Sequence, residues 1–326
     1  MNAPSVLRVR VTRKTVEAQD ICSFELASVD GTALPSFSAG SHIDVHIEDG
    51  GSRGLTRQYS LCNDPAEGHR YLIGVLRDAG SRGGSLAMHE QVHEGSELSI
   101  GPPKNHFALA HQAARHLLLA GGIGITPILC MAERLSAIGA DFELHYATRS
   151  RERTAFFDRI RGAAFAPRAA FHFDDGAPEQ KLDIAATLAR QASGTHLYVC
   201  GPKGFMDAVL GAARGGGWAE ERIHFEFFNA DVQPRTGDGA FDVQLASSGR
   251  VIRVPADRTV LAALADAGVV VPSSCEQGVC GTCLTRVIEG TPDHRDQYLM
   301  PDEQAAGDQF LPCCSRAKSA RLVLDL

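Results

Sequence analysis

The chain has 326 residues, 44% hydrophobic and 22% charged, enough for two or three domains with cores of their own and too apolar for wholesale disorder. Its 32 basic against 39 acidic residues leave a net charge of −7, which argues against a general nucleic-acid binder, because neutralising phosphates needs an excess of Lys and Arg. The longest apolar stretch, Leu117 to Met131, is broken by Gly121, Gly122, Gly124 and Pro127 and cannot span a bilayer. The first ten residues offer no apolar run of secretory-leader length, so a soluble, cytoplasmic protein is expected, with no membrane partner.

Residues 1–108 read as short strands. Leu7–Val11, His42–Ile47 and Tyr71–Leu76 alternate apolar and polar side chains, with Gly, Pro, Asn and Asp between the runs; the pattern predicts a small antiparallel β-barrel. Over 109–229 the pattern changes. Strand-like runs at Leu117–Ala120, Phe142–Ala147, Ala169–Phe173, Leu197–Cys200 and His224–Phe228 interleave with helical stretches at Ile128–Ile138, Leu182–Gln191 and Phe205–Ala213. Such interleaving predicts an α/β doubly wound sheet with ligands at the carboxyl ends of its strands. Residues 230–239 have the Pro, Gly and charge of a linker. From 240 to 326 come two alternating runs, Phe241–Leu245 and Val251–Val254, then an amphipathic stretch at Val260–Ala267 and a cysteine-rich loop, an α+β pattern.

Nine cysteines are unevenly spread. Cys22, Cys62, Cys130 and Cys200 lie singly in apolar surroundings and read as buried thiols, whereas five fall in the last 52 residues. Clustering of that kind in a reducing compartment points to metal. Cys275-x4-Cys280-x2-Cys283, with 29 residues before Cys313, matches the plant-type [2Fe–2S] pattern, in which four thiolates hold two irons. Gly278 and Gly281 let the backbone fold around a cluster without Cβ clashes. Zinc is the competing ligand; its sites pair two short knuckles, and only one pair is present. Cys314 adjoins Cys313, and spacing alone does not choose between them.

Three glycine-bearing motifs precede this loop. Arg57-Gln58-Tyr59-Ser60 follows a glycine-rich turn at the start of a strand-like run, and Gly83-Gly84-Ser85 precedes a helical one. Amides at a helix start with a Ser hydroxyl can cradle a phosphate that Arg57 neutralises, although a plain turn with a Ser cap has the same sequence. Gly121-Gly122-Ile123-Gly124-Ile125-Thr126-Pro127 comes straight after the first strand of the doubly wound region, where a dinucleotide pyrophosphate meets a helix. Cys200-Gly201-Pro202 ends the fourth strand at the same edge. Arg149, Ser150 and Arg151 end the second, where Arg tolerates the 2′-phosphate of NADPH and an acidic residue would select NADH.

These motifs, with Tyr198-Val199-Cys200-Gly201-Pro202 and Phe225-Glu226-Phe227-Phe228, resemble the ferredoxin–NADP reductase superfamily in order and spacing. With the C-terminal cysteine module, essentially the whole chain resembles the phthalate dioxygenase reductase family. The resemblance implies a flavin-binding barrel, a nucleotide-binding α/β domain and a β-grasp ferredoxin domain. It implies FMN, with FAD as the alternative, held by Arg57, Gln58, Tyr59, Ser60, Gly83, Gly84 and Ser85. Gly121, Gly122, Gly124, Thr126, Arg149 and Ser150 would line the nicotinamide dinucleotide site, joined by Cys200, Gly201, Pro202, Glu226 and Phe228 near the ring. Cys275, Cys280, Cys283 and Cys313 would ligate the cluster. The expected activity is a relay from NADH (NADPH the alternative) through FMN and the cluster to a Rieske-type oxygenase. A haem monooxygenase is the rival acceptor, and a flavin and iron–sulfur redox sensor the rival of another class. No protein acid or base is expected to be catalytic, because the cofactors carry the chemistry. A monomer docking transiently with its partner is expected. From Thr236 onward 12 acidic against 8 basic residues make the last module mildly acidic, a charge that could steer a basic partner.

Overall fold

The computed structural model describes residues 6–47, 55–78, 83–110, 112–228 and 237–326. The chain divides into two compact units, Met1–Glu226 and Phe227–Leu326. The linker expected at 230–239 lies mostly outside the described residues.

The first unit begins with strands β1 (Leu7–Ala18), β2 (Ile21–Ser28), β3 (Ser41–Ile47), β4 (Leu55–Ser60) and β5 (Tyr71–Leu76), then helix α1 (Gly84–Glu90) and strands β6 (Glu97–Ile100) and β7 (Lys104–Asn105). They form one antiparallel sheet in the order β4-β3-β6-β1-β2-β5, with β7 beside β3. Past the end of β4, Leu61 bridges Ile73 of β5, and the Cys62 N–H donates to Leu72 O at 2.9 Å. This contact brings the two edges of the sheet together, as a small barrel requires. Alternation explains the strands: Val9 and Val11 are buried, while Arg8 and Arg10 face out and pair with Glu97 at 2.7 and 2.9 Å. The alternation was readable only to Val11 because the pairing of β1 with β2 slips between Val11 and Arg13, and an extra residue there moves the following side chains to the other face. Arg57–Ser60 also sit differently from the expectation, closing β4 rather than starting a strand.

Strands β8 (Arg115–Gly121), β9 (Phe142–Thr148), β10 (Ala169–Phe173), β11 (Thr195–Cys200) and β12 (Ile223–Glu226) alternate with α2 (Ile125–Ala137), α3 (Phe157–Gly162), α4 (Ile184–Ala189) and α5 (Lys203–Gly215). All pairings are parallel, in the order β10-β9-β8-β11-β12. Helix α2 starts three residues before the apolar period suggested. Gly122–Gly124 form a 3-10 turn leading into it, and Pro127 falls in the first turn, where no backbone donor is needed. Helix α4 is shorter than its apolar run, being capped by Asp183 Oδ1, which accepts from Ala186 N at 2.9 Å. The last strand stops at Glu226 and not at Phe228.

The second unit holds β13 (Phe241–Leu245), β14 (Val251–Val254), α6 (Val260–Asp266), β15 (Thr285–Glu289), β16 (Pro292–Asp293), α7 (Pro301–Ala306), β17 (Gln309–Phe310), β18 (Arg316–Ala317) and β19 (Arg321–Leu324). The mixed sheet runs β14-β13-β19-β15-β17, with β13 and β19 parallel. Helix α6, capped by Thr259 Oγ1 accepting from Ala262 N at 3.1 Å, buries Val260, Ala263 and Leu264 in a core shared with Val243, Val254, Phe310 and Leu322. A sheet wrapped on one helix is the expected β-grasp. No helix among the described residues is long and apolar enough to cross a membrane.

Candidate functional site

Strand order reverses between β8 and β11: the chain leaves β8 towards β9 on one side and β11 towards β12 on the other. In open parallel sheets such a switch point opens a crevice at the carboxyl ends. Here the two ends are Gly121 and Cys200, with Ala120 and Cys200 in register. The turns beyond them pack backbone against backbone. A Cβ on Gly124 would lie 2.2 Å from Cys200 O, one on Gly201 3.0 Å from Gly121 Cα and 2.7 Å from the Phe205 ring, and one on Gly121 2.8 Å from that ring. The glycines are therefore required by the crossing itself. Gly122, at φ 51°, differs from them in having open space around it. Pro202 precedes α5 with extended backbone. Thr126 is engaged elsewhere: its hydroxyl donates to Ile123 O at 3.1 Å, and its methyl packs where Gly74 of β5 lacks a side chain.

Three side chains from distant sequence converge at this edge. Cys200 and Glu226 are register partners, and Ser60 Oγ, at the end of β4, donates to Glu226 Oε2 at 3.4 Å. Burial pushes the Glu226 carboxyl up to about 8, against the opposing hydrogen bond from Ser60. Burial, reinforced by Glu226, holds the Cys200 thiol well above its ordinary range. Near neutral pH the trio is thus uncharged, with one proton that can move close to physiological pH. Phe228 lies in the second unit and is half-buried.

On the barrel side, strand alternation sends Arg57 and Tyr59 to one face of β4 and Gln58 and Ser60 to the other. Arg57 is buried and lies across the first turn of α1; a Cβ on Gly84 would sit 2.7 Å from its Cγ and Nε. Gly83 takes the left-handed conformation (φ 91°) that starts this turn, and Ser85 Oγ accepts from Asp78 N at 3.2 Å. A buried guanidinium, the amides at a helix start and a hydroxyl form a donor set suited to a phosphate monoester. Tyr59 packs on the barrel core, and burial raises its phenol. Gln58 instead donates to Asp44 Oδ1 at 2.9 Å, whose other oxygen holds Lys104 at 2.8 Å.

At the far rim, Arg149 is exposed, while Arg151 stacks 3.3 Å over the Phe157 ring and Arg153 faces Asp20 at 3.5 Å. The Ser150 carbonyl accepts from the hydroxyls of Thr148 and Thr154 at 3.1 and 2.9 Å. Backbone bonds from Asp174 N to Thr148 O and from Asp175 N to Arg149 O, at 3.0 and 3.1 Å, set two acidic residues beside Arg149.

In the second unit the four expected cysteines come together as two pairs. Cys275 and Cys280 share a hydrogen bond, as do Cys283 and Cys313, and Cys313 also bonds its neighbour Cys314. The two pairs adjoin, since Cys280 acts on Cys283 electrostatically, although among the described residues no group of three or more ligating side chains is arranged to hold a metal ion. Backbone amides of Gln277 and Val279 aim at the Cys275 sulfur, that of Thr282 at Cys280, and that of Gly278 at Cys313. Such amides favour thiolates. In the free thiols, the bond with Cys275 lowers the Cys280 thiol, aided by Thr282, whose hydroxyl lies 3.2 Å from its sulfur. Cys275, Cys283 and Cys313 are buried and Cys280 is half-buried. The Cys314 sulfur lies 3.6 Å from Leu311 O and 3.7 Å from Ser315 Oγ, within the core. The residues present thus fit a two-iron cluster. Sequence reasoning missed Gly74, Phe205 and Tyr298. None belongs to a motif, and each acts through a contact with a residue remote in sequence.

A closed barrel, a parallel sheet with a switch-point crevice and a four-thiol β-grasp module define a modular electron-transfer flavoprotein reductase. Residues 243–318 match the 2Fe-2S iron-sulfur cluster binding domain, and 98–223 match the dimethylamine monooxygenase subunit DmmA-like, N-terminal domain. The chain is 58% identical over 317 residues to vanillate O-demethylase oxidoreductase of Pseudomonas putida, covering 97% of this chain and 98% of that one. The solved phthalate dioxygenase reductase is 42% identical with a TM-score of 0.80, covering 98% of both chains. An intact type IV self-sufficient cytochrome P450 monooxygenase is 38% identical with a TM-score of 0.77, covering 98% of this chain and 41% of that one. The chain belongs to the phthalate dioxygenase reductase family; it is an oxidoreductase that transfers electrons through a [2Fe–2S] module.

Proposed function

We propose that this chain is the reductase component of a Rieske-type oxygenase or demethylase, drawing on NADH and using FMN and a [2Fe–2S] cluster. The flavin supplies the exchange between paired electrons from a hydride and single electrons for iron; everything else is positioning. Arg57, Gly84 and Ser85 hold the FMN phosphate, and Tyr59 packs against the ring. Ser60, Cys200 and Glu226 meet where flavin and nicotinamide face each other, and their neutrality keeps that junction free of charge. Gly121, Gly122, Gly124 and Gly201 form a backbone floor for the dinucleotide. Cys275, Cys280, Cys283 and Cys313 hold the cluster. Plant-type clusters lie near about −400 mV and Rieske centres at about −150 to +300 mV, so transfer to such an acceptor is downhill.

The observation that carries this reading is the joining in one chain of a switch-point crevice and two thiol pairs. Asp174 and Asp175 beside Arg149 support NADH: two carboxylates repel a 2′-phosphate, and an acidic side chain suits a free 2′-hydroxyl. The likeness to the self-sufficient P450 favours a second reading, in which the acceptor is a haem monooxygenase. The test is NADH-driven reduction of purified Rieske and haem oxygenases from the same genome neighbourhood, with cytochrome c as a general acceptor. Rapid reduction of a Rieske protein supports the proposal; reduction of a haem protein alone supports the second reading. Failure to reduce even cytochrome c indicates a sensor. Mass spectrometry of the released flavin decides between FMN and FAD.

A further inference from the structure

Between the third and fourth cysteines, residues 294–299 cross over the cluster loop. The Gln297 N–H donates to Gly278 O at 2.9 Å, and the amide of that same Gly278 aims at the Cys313 sulfur. One residue on, the Tyr298 ring lies against Gly281, where a Cβ would come within 2.2 Å of its Cζ. Gly281 has φ 70°, so both its conformation and the ring above it demand glycine. Tyr298 is 44% exposed; its ring stands between the loop of Cys280 and Cys283 and the solvent.

What holds this strap is a buried polar node. The Asp296 side chain has no exposure. Its Oδ2 accepts from Tyr298 N and Leu299 N at 3.3 and 2.8 Å, and its Oδ1 from the Ser315 hydroxyl at 3.3 Å. Ser315, two residues past Cys313, accepts in turn from Arg295 N at 3.2 Å. Arg295, itself buried, reaches the other way, donating from Nη1 and Nη2 to both oxygens of Asp238 at 2.8 and 2.5 Å and from Nε and Nη2 to Asp293 Oδ2 at 2.8 and 2.7 Å. Asp238 lies just before β13, and its carboxylate also stands 3.8 Å from Arg316 Nε. One continuous set of hydrogen bonds therefore joins Asp238 to both halves of the cysteine set. The node lies outside the five-stranded sheet, beside the two-stranded pairing of Asp293 with Arg316.

We propose that Arg295 and Asp296 are positioning residues for the cluster: anchored on Asp238, they hold Tyr298 and Gln297 over the cysteine loop and thereby set the cluster's reduction potential. The inference rests on the cluster reading above. Two physical terms act through the strap, the hydrogen bonds received by the sulfurs and the exposure of the cluster to water. Reduction adds a negative charge, which water stabilises, so removing the Tyr298 ring while the bonds at Gly278 are kept makes the cluster easier to reduce.

The experiment is a redox titration of the full-length holoprotein, with iron content and the electron paramagnetic resonance signature recorded for each variant. With two irons per chain, Tyr298→Ala should raise the reduced-to-oxidised ratio at a fixed potential about tenfold, which is about 59 mV for one electron. Tyr298→Phe should restore the wild-type ratio. Asp238→Asn, further from the cysteines, should shift the ratio in the same direction by about threefold and leave the flavin potential unchanged. Wild-type ratios and signatures in both Tyr298→Ala and Asp238→Asn, with full iron, would overturn the proposal alone. A wild-type chain that takes up no two-iron cluster would overturn the cluster reading and this one together.

Discussion

The two halves of the redox machinery are specified in opposite ways. In the second unit, three ligands lie within nine residues, Cys275 to Cys283, and the loop shapes itself with Gly278 and Gly281 at positive φ. In the first, Ser60, Cys200 and Glu226 are separated by up to 166 residues and meet only because β11 pairs with β12 and the end of β4 reaches the same edge. A loop site depends on its own turns. A crevice site depends on the register of a whole sheet, so damage far from the chemistry should reach it.

The largest expected effect tests the loop. Cys313→Ala should abolish the cluster's visible absorbance while NADH still bleaches the flavin, and Cys314→Ala should retain the cluster at some cost in thermal stability. The reverse pattern would reassign the fourth ligand. Removing residues beyond the expected linker, by truncation near Pro234, should sharpen the comparison: the fragment should oxidise NADH with ferricyanide yet fail to reduce an oxygenase.

In the crevice, Gly124→Ala drives a methyl into Cys200 O. Backbone must move, at a cost of roughly 1–3 kcal/mol or more, and calorimetry should show a melting point several degrees lower together with much slower flavin reduction by NADH. A variant as stable and fast as the parent would show that the two turns do not need their contact.

A subtler effect follows from Glu226. Its carboxyl titrates near 8 in the folded chain and near 4.5 when unfolded, so between these values the unfolded chain binds fewer protons than the native one. Stability therefore falls as pH rises from about 4.5 to 8 and then levels. Glu226→Gln should flatten the melting temperature across that window, and a slope unchanged in the variant would place the titration elsewhere. The smallest effect concerns the rim. Asp175→Asn should lower the KM for NADPH severalfold while barely changing that for NADH; an unaltered ratio would remove Asp175 from cofactor choice.

How much of this was readable in the sequence follows the same division. Cys275, Cys280 and Cys283 stood out by spacing, because a cluster loop is local, whereas the choice of Cys313 over its neighbour Cys314 was not in the spacing and came only with the family resemblance. The parallel sheet was legible from its interleaved apolar runs, with Ala169–Phe173 found to the residue. Less visible were features that arise from pairing. The slip in β1 hid seven of its residues, and Gln58, inside a motif, turned out to bond Asp44. Gly74, Phe205 and the Tyr298 strap carry no local signature at all; each is defined by a neighbour brought close by folding.

The crossing of Gly121, Gly124 and Gly201 has one more consequence. A surface floored by main chain offers nothing for point substitution to edit: every side chain added there collides before it can discriminate. Preference for one pyridine nucleotide over another must therefore be written where side chains have room, at Arg149 to Arg153 and at Asp174 and Asp175. The floor is an invariant socket and the rim an adjustable collar, so a lineage could change its electron donor without disturbing the place where the electrons arrive.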